Sequence, residues 1–311
     1  MLKKKILIIK LGAFGDIILS EGLMRCIRSH HPNDHITLLT RKSYVTLMEG
    51  APHFDAVMID PHIARWHIHK QFRFRRLLLE QNFDYVYDLQ NNARSQGFQK
   101  WLKGAQISAR FDDAAYHDDL QRNPHKSIRD ILAQQIAHAG VNISDGILPD
   151  LRWAAPPPDE IDSILTAAGL KSNFVLLIPG SSAKNAQKRW GYYKELAQML
   201  KAQGIACATV PGHDERALCE TIDATMLLDD GKPLSFQQMA GLEPHCRYVV
   251  GNDTGPTHLM SAVKTKGLVL FARNNFSAAR TGIDKIYDVI TVDNFDDLKP
   301  QQVLAHIQKA Y

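Results

Sequence analysis

The 311-residue chain is predicted to fold as an α/β protein with two doubly wound halves. Short apolar runs alternate with helix-length segments along the whole sequence, which is typical of parallel sheets covered by helices on both faces. At about 100–200 residues per domain, the length fits two domains. Pro156-Pro157-Pro158 interrupts the alternation near the middle, and such a run forms a stiff extended link. We therefore predict domains over residues 1–155 and 156–311.

Each half is predicted to alternate strands and helices. In the first half, strands are predicted near residues 5–11, 35–40, 56–59, 85–89 and 106–109, and helices near 16–29, 70–81, 96–103 and 127–139. In the second half, strands are predicted near 174–178, 205–210, 248–250, 267–271 and 289–292, and helices near 158–168, 192–203, 214–224, 235–242, 254–263 and 299–310. The sequence leaves open whether the last helix packs on the second domain or returns to the first. Because ligands bind beyond the carboxyl ends of such strands, the site is predicted in a cleft between the two halves.

Composition excludes several classes of protein. The chain is 45% apolar, and no apolar stretch approaches the roughly 20 residues that span a bilayer. The first apolar run ends at Lys10, which is too short for the core of a signal peptide. Four cysteines are scattered without a CxxC pair, which argues against a zinc site or disulfide framework and fits a reducing cytoplasm.

Positive charge is concentrated in the first half. Residues 1–155 carry 21 Lys and Arg against 16 Asp and Glu, whereas the rest of the chain carries 16 against 17. Ten of the 14 histidines also lie in the first half. This half is therefore expected to meet an anionic partner, although the excess is too small to indicate nucleic acid.

A glycine-rich turn follows the first predicted strand, at Gly12-Ala13-Phe14-Gly15-Asp16. The segment lacks the GxGxxG spacing of a dinucleotide-binding loop. Asp16 allows two interpretations. It is either the cap of the following helix, which is a common role for Asp, or a general base that accepts a hydroxyl proton as the transition state develops.

A polar loop with basic residues follows the strand near 174–178. Ser181 and Ser182 offer amides and hydroxyls to phosphate oxygens, and Lys188 supplies positive charge. A cation about 4 Å from a phosphate contributes roughly 4 kcal/mol at an effective dielectric of 20, enough to stabilise a diphosphate leaving group. A solvated basic loop is the alternative. The segment is not a Walker A loop.

The segment from Gly251 to His258 joins an apolar strand to a predicted helix. Asp253 or Thr254 can cap that helix, and Gly255 lets the backbone approach a ligand. The amides of residues 254–258 would then lie at the positive end of a helix dipole, where phosphates bind. An ordinary strand-to-helix turn is the alternative.

Two further segments are candidate binding sites. Glu215 follows another strand and could hold a ribose diol, although simple capping by the neighbouring Asp214 is an equal alternative. Residues 62–76 contain no acid, and their cations Arg65, Lys70 and Arg73 could bind a phosphorylated or carboxylated acceptor at a membrane surface. A solvated helix face is the alternative for this stretch. No metal site is predicted.

Three of these segments together resemble glycosyltransferase family 9, the ADP-heptose:lipopolysaccharide heptosyltransferases. They are Gly12–Asp16, Lys188–Trp190 and Asp253–His258, in this order and spacing. Tyr87–Gln90 followed by Arg94 is similar to a further family segment, and the resemblance covers nearly the whole chain. It implies a GT-B fold, with two Rossmann-like domains facing across a cleft. It also implies an inverting, metal-independent transfer of a heptose or related sugar from ADP-heptose to an acceptor in the lipopolysaccharide inner core.

The resemblance implies roles for the residues that match the motifs. Asp16 is implied to take the proton of the acceptor hydroxyl, and Lys188 to neutralise the diphosphate. The implied donor-binding residues of the second domain are Ser181, Ser182, Glu215, Asp253, Thr254, Gly255 and His258. Arg94 joins the candidate acceptor-binding residues of the first domain. No cofactor is implied beyond the nucleotide-sugar donor, and the enzyme is expected in the cytoplasm with peripheral contact to the inner membrane.

Two alternatives stay open at this point. One is another GT-B enzyme, such as a sugar-nucleotide epimerase, against which the basic first half argues. The other is a non-catalytic protein that binds a nucleotide sugar, against which the presence of both Asp16 and Lys188 argues. After Asp16 many family members carry a polar His or Thr and then Pro. Here the chain continues with Ile17-Ile18-Leu19-Ser20-Glu21-Gly22, so the acceptor is not identified.

Overall fold

The computed structural model describes residues 3–63, 66–110, 116–117, 126–144, 146–272 and 281–310. The chain divides into two compact units, residues 1–149 and 150–311. The division precedes the proline run because residues 150–155 already belong to the second unit, where the Leu151 amide donates to the Ala262 carbonyl at 3.0 Å. Pro158 begins a helix, a position that suits the fixed backbone angle of proline.

The first unit is built on a six-stranded parallel sheet in the order β3-β2-β1-β4-β5-β6. Its strands are β1 (Lys5–Ile9), β2 (His35–Arg41), β3 (Ala56–Asp60), β4 (Tyr85–Asp88), β5 (Gln106–Ala109) and β6 (Tyr116–His117). Its α-helices are α1 (Phe14–Leu19), α2 (Glu21–His30), α3 (Val45–Glu49), α4 (Ile68–Glu80), α5 (Ala93–Trp101) and α6 (Ile128–His138). The five strands and four helices expected from the sequence are present, with short additions.

The second unit repeats this architecture. Its parallel sheet has the order β14-β13-β12-β7-β8-β9, and β10 and β11 form a separate antiparallel pair. Its strands are β7 (Phe174–Ile178), β8 (Cys207–Thr209), β9 (Thr225–Met226), β10 (Leu228–Asp229), β11 (Lys232–Pro233), β12 (Cys246–Asn252), β13 (Gly267–Ala272) and β14 (Asp288–Val292). Its described α-helices are α7 (Pro158–Ala167), α8 (Tyr193–Ala202), α9 (Arg216–Glu220), α10 (Phe236–Ala240), α11 (Gly255–Ala262) and α12 (Pro300–Ala310).

Both sheets have the strand order of a Rossmann fold. The order reverses between β1 and β4 in the first unit, and between β7 and β12 in the second. Connections on the two sides of such a reversal leave in opposite directions, which opens a crevice at the carboxyl ends of the strands. We call this place the switch point of each unit.

Buried apolar strands explain why the sheets form. All five residues of β7 are buried, as are four of the five residues of β1, because helices cover both faces of the sheet. The last helix, α12, packs against α8 of the second unit through Val303, Leu304 and Ile307.

The predicted helix over residues 16–29 is wrong in detail. The helix begins at Phe14 and is interrupted at Ser20, so that α1 and α2 are separate. The Ser20 hydroxyl donates to the Asp16 carbonyl at 2.7 Å, a bond that competes with continuation of the helix. The early start places Asp16 at the third residue of α1 rather than at its beginning.

Candidate functional site

The switch point of the second unit is held together by Asn252, the last residue of β12. This fully buried amide donates to the Pro179 carbonyl at 2.8 Å. Its oxygen accepts from the Trp190 amide at 3.2 Å and from the Tyr193 hydroxyl at 3.1 Å. Asn252 thus joins the loop after β7 to the end of β12. We did not single it out from the sequence, although a polar residue ending an apolar strand was the available signal.

Lys188, Asp253 and His258 meet at this switch point. The Lys188 ammonium donates to Asp253 Oδ2 at 2.5 Å and lies 3.3 Å from the Asp253 carbonyl. His258 Nε2 lies 3.0 Å from Asp253 Oδ1. Asp253 and His258 are buried, whereas the Lys188 side chain keeps 20% of its surface exposed. Residues predicted from two separate motifs therefore form one charged cluster with a partly open ammonium.

The cluster keeps Asp253 ionised. Burial alone would raise the pKa of Asp253, but the hydrogen bonds and charges of His258 and Lys188 together outweigh it, so the pKa lies below its ordinary value. His258 Nδ1 is buried, and among the described residues it has no hydrogen-bond partner. When Nε2 carries the proton toward Asp253, Nδ1 is an acceptor.

The start of α11 is left without an acidic cap. Thr254 is its N-cap residue and makes no side-chain capping bond, and the first turn contains no acid. The sequence prediction of five outward amides over 254–258 is wrong, because Pro256 has no N–H and the His258 amide donates to the Thr254 carbonyl. The Gly255 and Thr257 amides belong to the first turn at this positive helix end, where no preceding turn of the helix supplies carbonyl acceptors.

Close packing of α11 on β12 depends on Gly251. A Cβ atom at this position would lie 2.2 Å from Thr257 Oγ1, closer than any real contact. The glycine therefore lets the start of α11 approach the end of the strand, which fixes the amides next to the Lys188 cluster.

The two serines after β7 differ in their surroundings. Ser181 is buried, its hydroxyl donates to the Asn185 carbonyl at 2.9 Å, and it accepts from Arg189 Nε at 3.2 Å. Ser182 is exposed and accepts from Asn185 Nδ2 at 2.9 Å, which leaves its hydroxyl hydrogen for a ligand. Ser181 therefore holds the loop, and Ser182 is the better placed of the two for a phosphate.

Glu215 lies against the same loop. Its Oε2 accepts from the Gly212 amide at 2.9 Å. A Cβ atom at Gly180 would lie 2.0 Å from this oxygen, so the carboxylate rests directly on the Gly180 backbone. Glu215, which follows β8, thus lies against the loop after β7, and its binding of a ribose stays a prediction.

Asp16 lies at the switch point of the first unit. Its Oδ2 accepts from the Ala13 amide at 3.1 Å, so it caps α1, and it remains partly exposed. The preceding turn requires Gly12, whose φ of +124° is favourable only for glycine and whose Cα faces the ring of Tyr44 at close range. The capping role is therefore real, and it is compatible with a second role for the exposed side of the carboxylate.

Two buried charged groups lie behind this turn. The Lys10 ammonium donates to the Leu89 carbonyl at 2.8 Å, and burial lowers its pKa against the opposing charges of Asp16 and Asp88. Burial also raises the pKa of Asp88, although the carboxylate accepts from the Gln90 and Asn91 amides. Neither residue was among our candidates, although each lies at the end of a central strand, where polar residues are informative.

The described candidate acceptor residues lie on two helices of the first unit. Arg94, on α5, donates to both carboxylate oxygens of Asp60, with Nε to Oδ2 at 2.6 Å, so much of its charge is already neutralised. Lys70 and Arg73 are exposed on α4. Their binding of one acceptor stays a prediction. Arg65 lies outside the described residues.

No metal site or membrane span was found in the described residues. They contain no group of three or more His, Cys, Asp and Glu side chains that could hold a metal ion. The four cysteines are buried, and none of them forms a disulfide. Among the described helices, none has the length and hydropathy needed to cross a bilayer.

Two Rossmann-type units, each with a six-stranded sheet of the same strand order, give the chain the architecture of the GT-B class. Residues 71–287 match glycosyltransferase family 9 (heptosyltransferase), and the chain belongs to this family. The protein is therefore a glycosyltransferase, as the sequence motifs predicted. No curated protein matched the chain.

Solved structures confirm the predicted GT-B fold. A family 9 glycosyltransferase from Veillonella parvula is 16% identical, with a TM-score of 0.83 over 99% of this chain and 97% of its own. The ADP-heptose LPS heptosyltransferase II of E. coli is 18% identical, with a TM-score of 0.74 over 98% of each chain. The E. coli heptosyltransferase WaaC with ADP-2-deoxy-2-fluoro heptose is 16% identical, with a TM-score of 0.72 over 99% of this chain and 100% of its own.

Proposed function

We propose that the protein transfers a heptose, with inversion, from ADP-heptose to an acceptor in the lipopolysaccharide inner core. The observation that carries this proposal is the cluster of Lys188, Asp253 and His258 beside the uncapped start of α11. The donor is supported by the similar E. coli structure that holds ADP-2-deoxy-2-fluoro heptose.

The donor diphosphate binds at the switch point of the second unit in this proposal. The Gly255 and Thr257 amides and the positive end of α11 favour a bound anion. Lys188 holds its partly exposed ammonium at the same place and neutralises the leaving diphosphate. Asp253 accepts a hydrogen bond from that ammonium and fixes its position, and His258 in turn holds Asp253.

Further contacts complete the donor site. Ser182 offers its hydroxyl to a phosphate oxygen, while Ser181 keeps the loop in shape. Glu215 offers the carboxylate oxygen that is not bound to the Gly212 amide to the ribose diol. Thr254 lines the site as the N-cap of α11.

The reaction is a single displacement at the anomeric carbon. The acceptor oxygen forms the new bond while the bond to the diphosphate breaks, and its electron pair leaves with the diphosphate. Asp16 accepts the proton of the attacking hydroxyl. The proposed base is a residue of the first unit, and the proposed leaving-group residues belong to the second. Positioning and electrostatic stabilisation supply most of the acceleration, without a cofactor or metal.

The first unit binds the anionic acceptor in this proposal. Lys70 and Arg73 are exposed cations on α4, and Arg65 precedes them in the sequence. Arg94 keeps an edge of its guanidinium open while Asp60 fixes its orientation. Such planar, oriented groups suit the phosphates and carboxylates of a lipopolysaccharide core.

A melting-temperature screen of ADP, UDP, GDP and their sugars tests the donor. A ligand at 100 times its dissociation constant stabilises the folded state by about 2.7 kcal/mol, so the true donor shifts the transition clearly. We expect ADP-heptose to give the largest shift. A larger shift with a UDP or GDP sugar would overturn the assignment of the donor.

Incubation with and without acceptor tests the reaction. A transferase releases ADP from ADP-heptose only when an inner-core acceptor is present. An epimerase converts its nucleotide sugar without an acceptor, and a binding protein gives no conversion with any acceptor. Either of the last two results would overturn the proposal.

A further inference from the structure

Helix α4 carries exposed apolar side chains that its packing does not use. The helix is anchored by Phe74 and Leu78, with the Phe74 ring packed edge-on against Phe98 at 5.6 Å between centroids. Four large apolar residues of the helix are exposed, and three of them lie on one side, with Ile68 58%, Phe72 62% and Leu79 40% exposed. Trp66, just before the helix, is 78% exposed. We call Trp66 and these three residues the α4 ridge.

The ridge is a continuous stripe on one side of the helix. At about 100° per residue, Ile68, Phe72 and Leu79 point within about 40° of one another, away from the buried stripe. Arg75 and Arg76 flank this stripe on its two sides, and both are exposed.

Charge around the ridge is of one sign. The sequence contains no Asp or Glu between Asp60 and Glu80, and Glu80 forms an ion pair with Arg76 at the end of the helix. The apolar stripe lies between two arginines, and Lys70 and Arg73 are further cations of the same helix. This is the composition of a helix that lies in a membrane interface.

We propose that the α4 ridge docks the protein on an anionic lipid bilayer. The apolar side chains enter the boundary between headgroups and acyl chains, and Arg75 and Arg76 contact lipid phosphates. The ridge exposes on the order of 500 Å² from four side chains. The flanking cations disfavour a second copy of the chain as the partner, because like charges would face each other across the contact, whereas anionic headgroups complement them.

The place of α4 in the fold relates this membrane contact to the proposed acceptor site. Helix α4 follows β3, and the last residue of β3, Asp60, binds Arg94 at the carboxyl edge of the sheet. Docking would hold that edge close to a lipid-linked acceptor. This link to catalysis rests on the proposed function, whereas the membrane contact itself does not.

Vesicle co-sedimentation of the full chain tests the proposal. The vesicles are phosphatidylcholine with and without phosphatidylglycerol. We expect binding only to the anionic vesicles, and binding weakened more than about tenfold in the double variant Ile68→Ser with Phe72→Ser, because two apolar side chains leave the bilayer. Removing Arg75 or Arg76 (R75Q or R76Q) should weaken binding about fivefold each, and high salt should abolish that contribution.

Leu77→Ser is the matched control. Leu77 is an exposed apolar residue of the same helix that lies off the ridge, so this change removes a similar side chain without touching the stripe. We expect its vesicle binding to stay within about twofold of wild type. Equal loss in the control and the double variant, or no vesicle binding by the wild type, overturns the proposal. Self-association of the wild type that the double variant abolishes also overturns it, because a second copy then covers the ridge.

Transfer assays separate this proposal from the proposed function. With an acceptor embedded in anionic vesicles, the double variant should lose turnover in proportion to its loss of binding, while turnover of a delipidated acceptor stays at the wild-type level. If the proposed function is wrong, the wild type turns over neither acceptor and vesicle binding is unaffected. If the docking is wrong, the double variant and the wild type turn over both acceptors equally.

Discussion

The two switch points share a strand order but differ in how the helix beside them begins. In the first unit, the carboxylate of Asp16 lies at the start of α1 and bonds the Ala13 amide, so the protein supplies the anion. In the second unit, the first turn of α11 has no acid, and Asp253 turns away to Lys188 and His258.

In the proposed function, this difference assigns opposite tasks to the two units. A helix start favours negative charge whether it comes from a side chain or a ligand. In the first unit a side chain fills that place, and the proposal uses its carboxylate to accept a proton. In the second unit the place is left open beside a lysine, and the proposal puts the diphosphate there. The predictions below test whether each task belongs to its unit.

Removal of the Asp16 carboxylate should have the largest effect. We expect Asp16→Ala to lower the rate of heptose transfer by a factor of at least ~100, the usual contribution of a general base. Nucleotide binding should stay unchanged, because the donor site belongs to the second unit. Steady-state kinetics with saturating donor and acceptor, and ADP binding by calorimetry, are the measurements.

Asp16→Asn is the control for the capping role. An asparagine oxygen can still accept from the Ala13 amide but cannot take a proton at neutral pH. The melting temperature of this variant should stay close to wild type while turnover falls as in Asp16→Ala. Turnover near the wild-type level in either variant would show that Asp16 only caps α1.

Removal of the Lys188 ammonium should have the next largest effect. A hydrogen bond to a charged group contributes about 1.5–3 kcal/mol, so Lys188→Ala should weaken ADP binding by about 30-fold. Lys201→Ala is the matched control, because Lys201 also pairs with an aspartate, Asp223, but on an exposed surface of the same unit. We expect its ADP affinity to equal that of wild type. Equal affinities in all three proteins would place the diphosphate elsewhere.

The sequence allowed much of the fold to be predicted, because buried parallel strands leave apolar runs that are easy to see. It also predicted Lys188, Asp253 and His258 individually from their motifs. It did not predict their mutual contacts, which depend on the register of β12 against β7. Register is set by packing across the sheet rather than by local composition.

Other features could not be predicted from sequence for similar reasons. The role of Asn252 depends on four groups from distant segments that meet only in the folded unit. The break at Ser20, whose hydroxyl donates to the Asp16 carbonyl, lies inside an otherwise regular helical pattern. Arg94 looked like a free acceptor contact, and only the fold brings Asp60 to its guanidinium.

Gly251→Ala should show how strongly the second switch point depends on close packing. The new Cβ atom would meet Thr257 Oγ1 at 2.2 Å, so α11 must shift, at a cost of about 2 kcal/mol of stability. ADP affinity should fall as well, because the α11 amides move with the helix. Urea unfolding and calorimetry are the measurements. Adding Thr257→Ala should restore part of both losses.

Gly97→Ala is the control for the effect of the glycine itself. This glycine lies within α5, and an added Cβ there meets nothing within 4 Å. Alanine at this position should stabilise the protein by about 0.5–1 kcal/mol, since it reduces the freedom of the unfolded chain. If Gly251→Ala behaved in the same way, α11 would not be pressed against β12.

The smallest expected effect is the dependence of stability on pH that Asp253 contributes. Because the folded-state pKa of Asp253 is lowered, its contribution is present above its ordinary pKa of 3.8 and is lost as pH falls through the folded value. The difference in unfolding free energy between wild type and Asp253→Asn should therefore be larger at pH 7 than at pH 3, as measured by urea titration. The matched change Asp223→Asn affects an exposed pair with Lys201 and should alter stability little at pH 7. A wild-type advantage over Asp253→Asn that stayed constant down to pH 3 would mean that the buried cluster does not hold this carboxylate ionised, and the contrast between an internal anion in the first unit and a neutralised one in the second would fail.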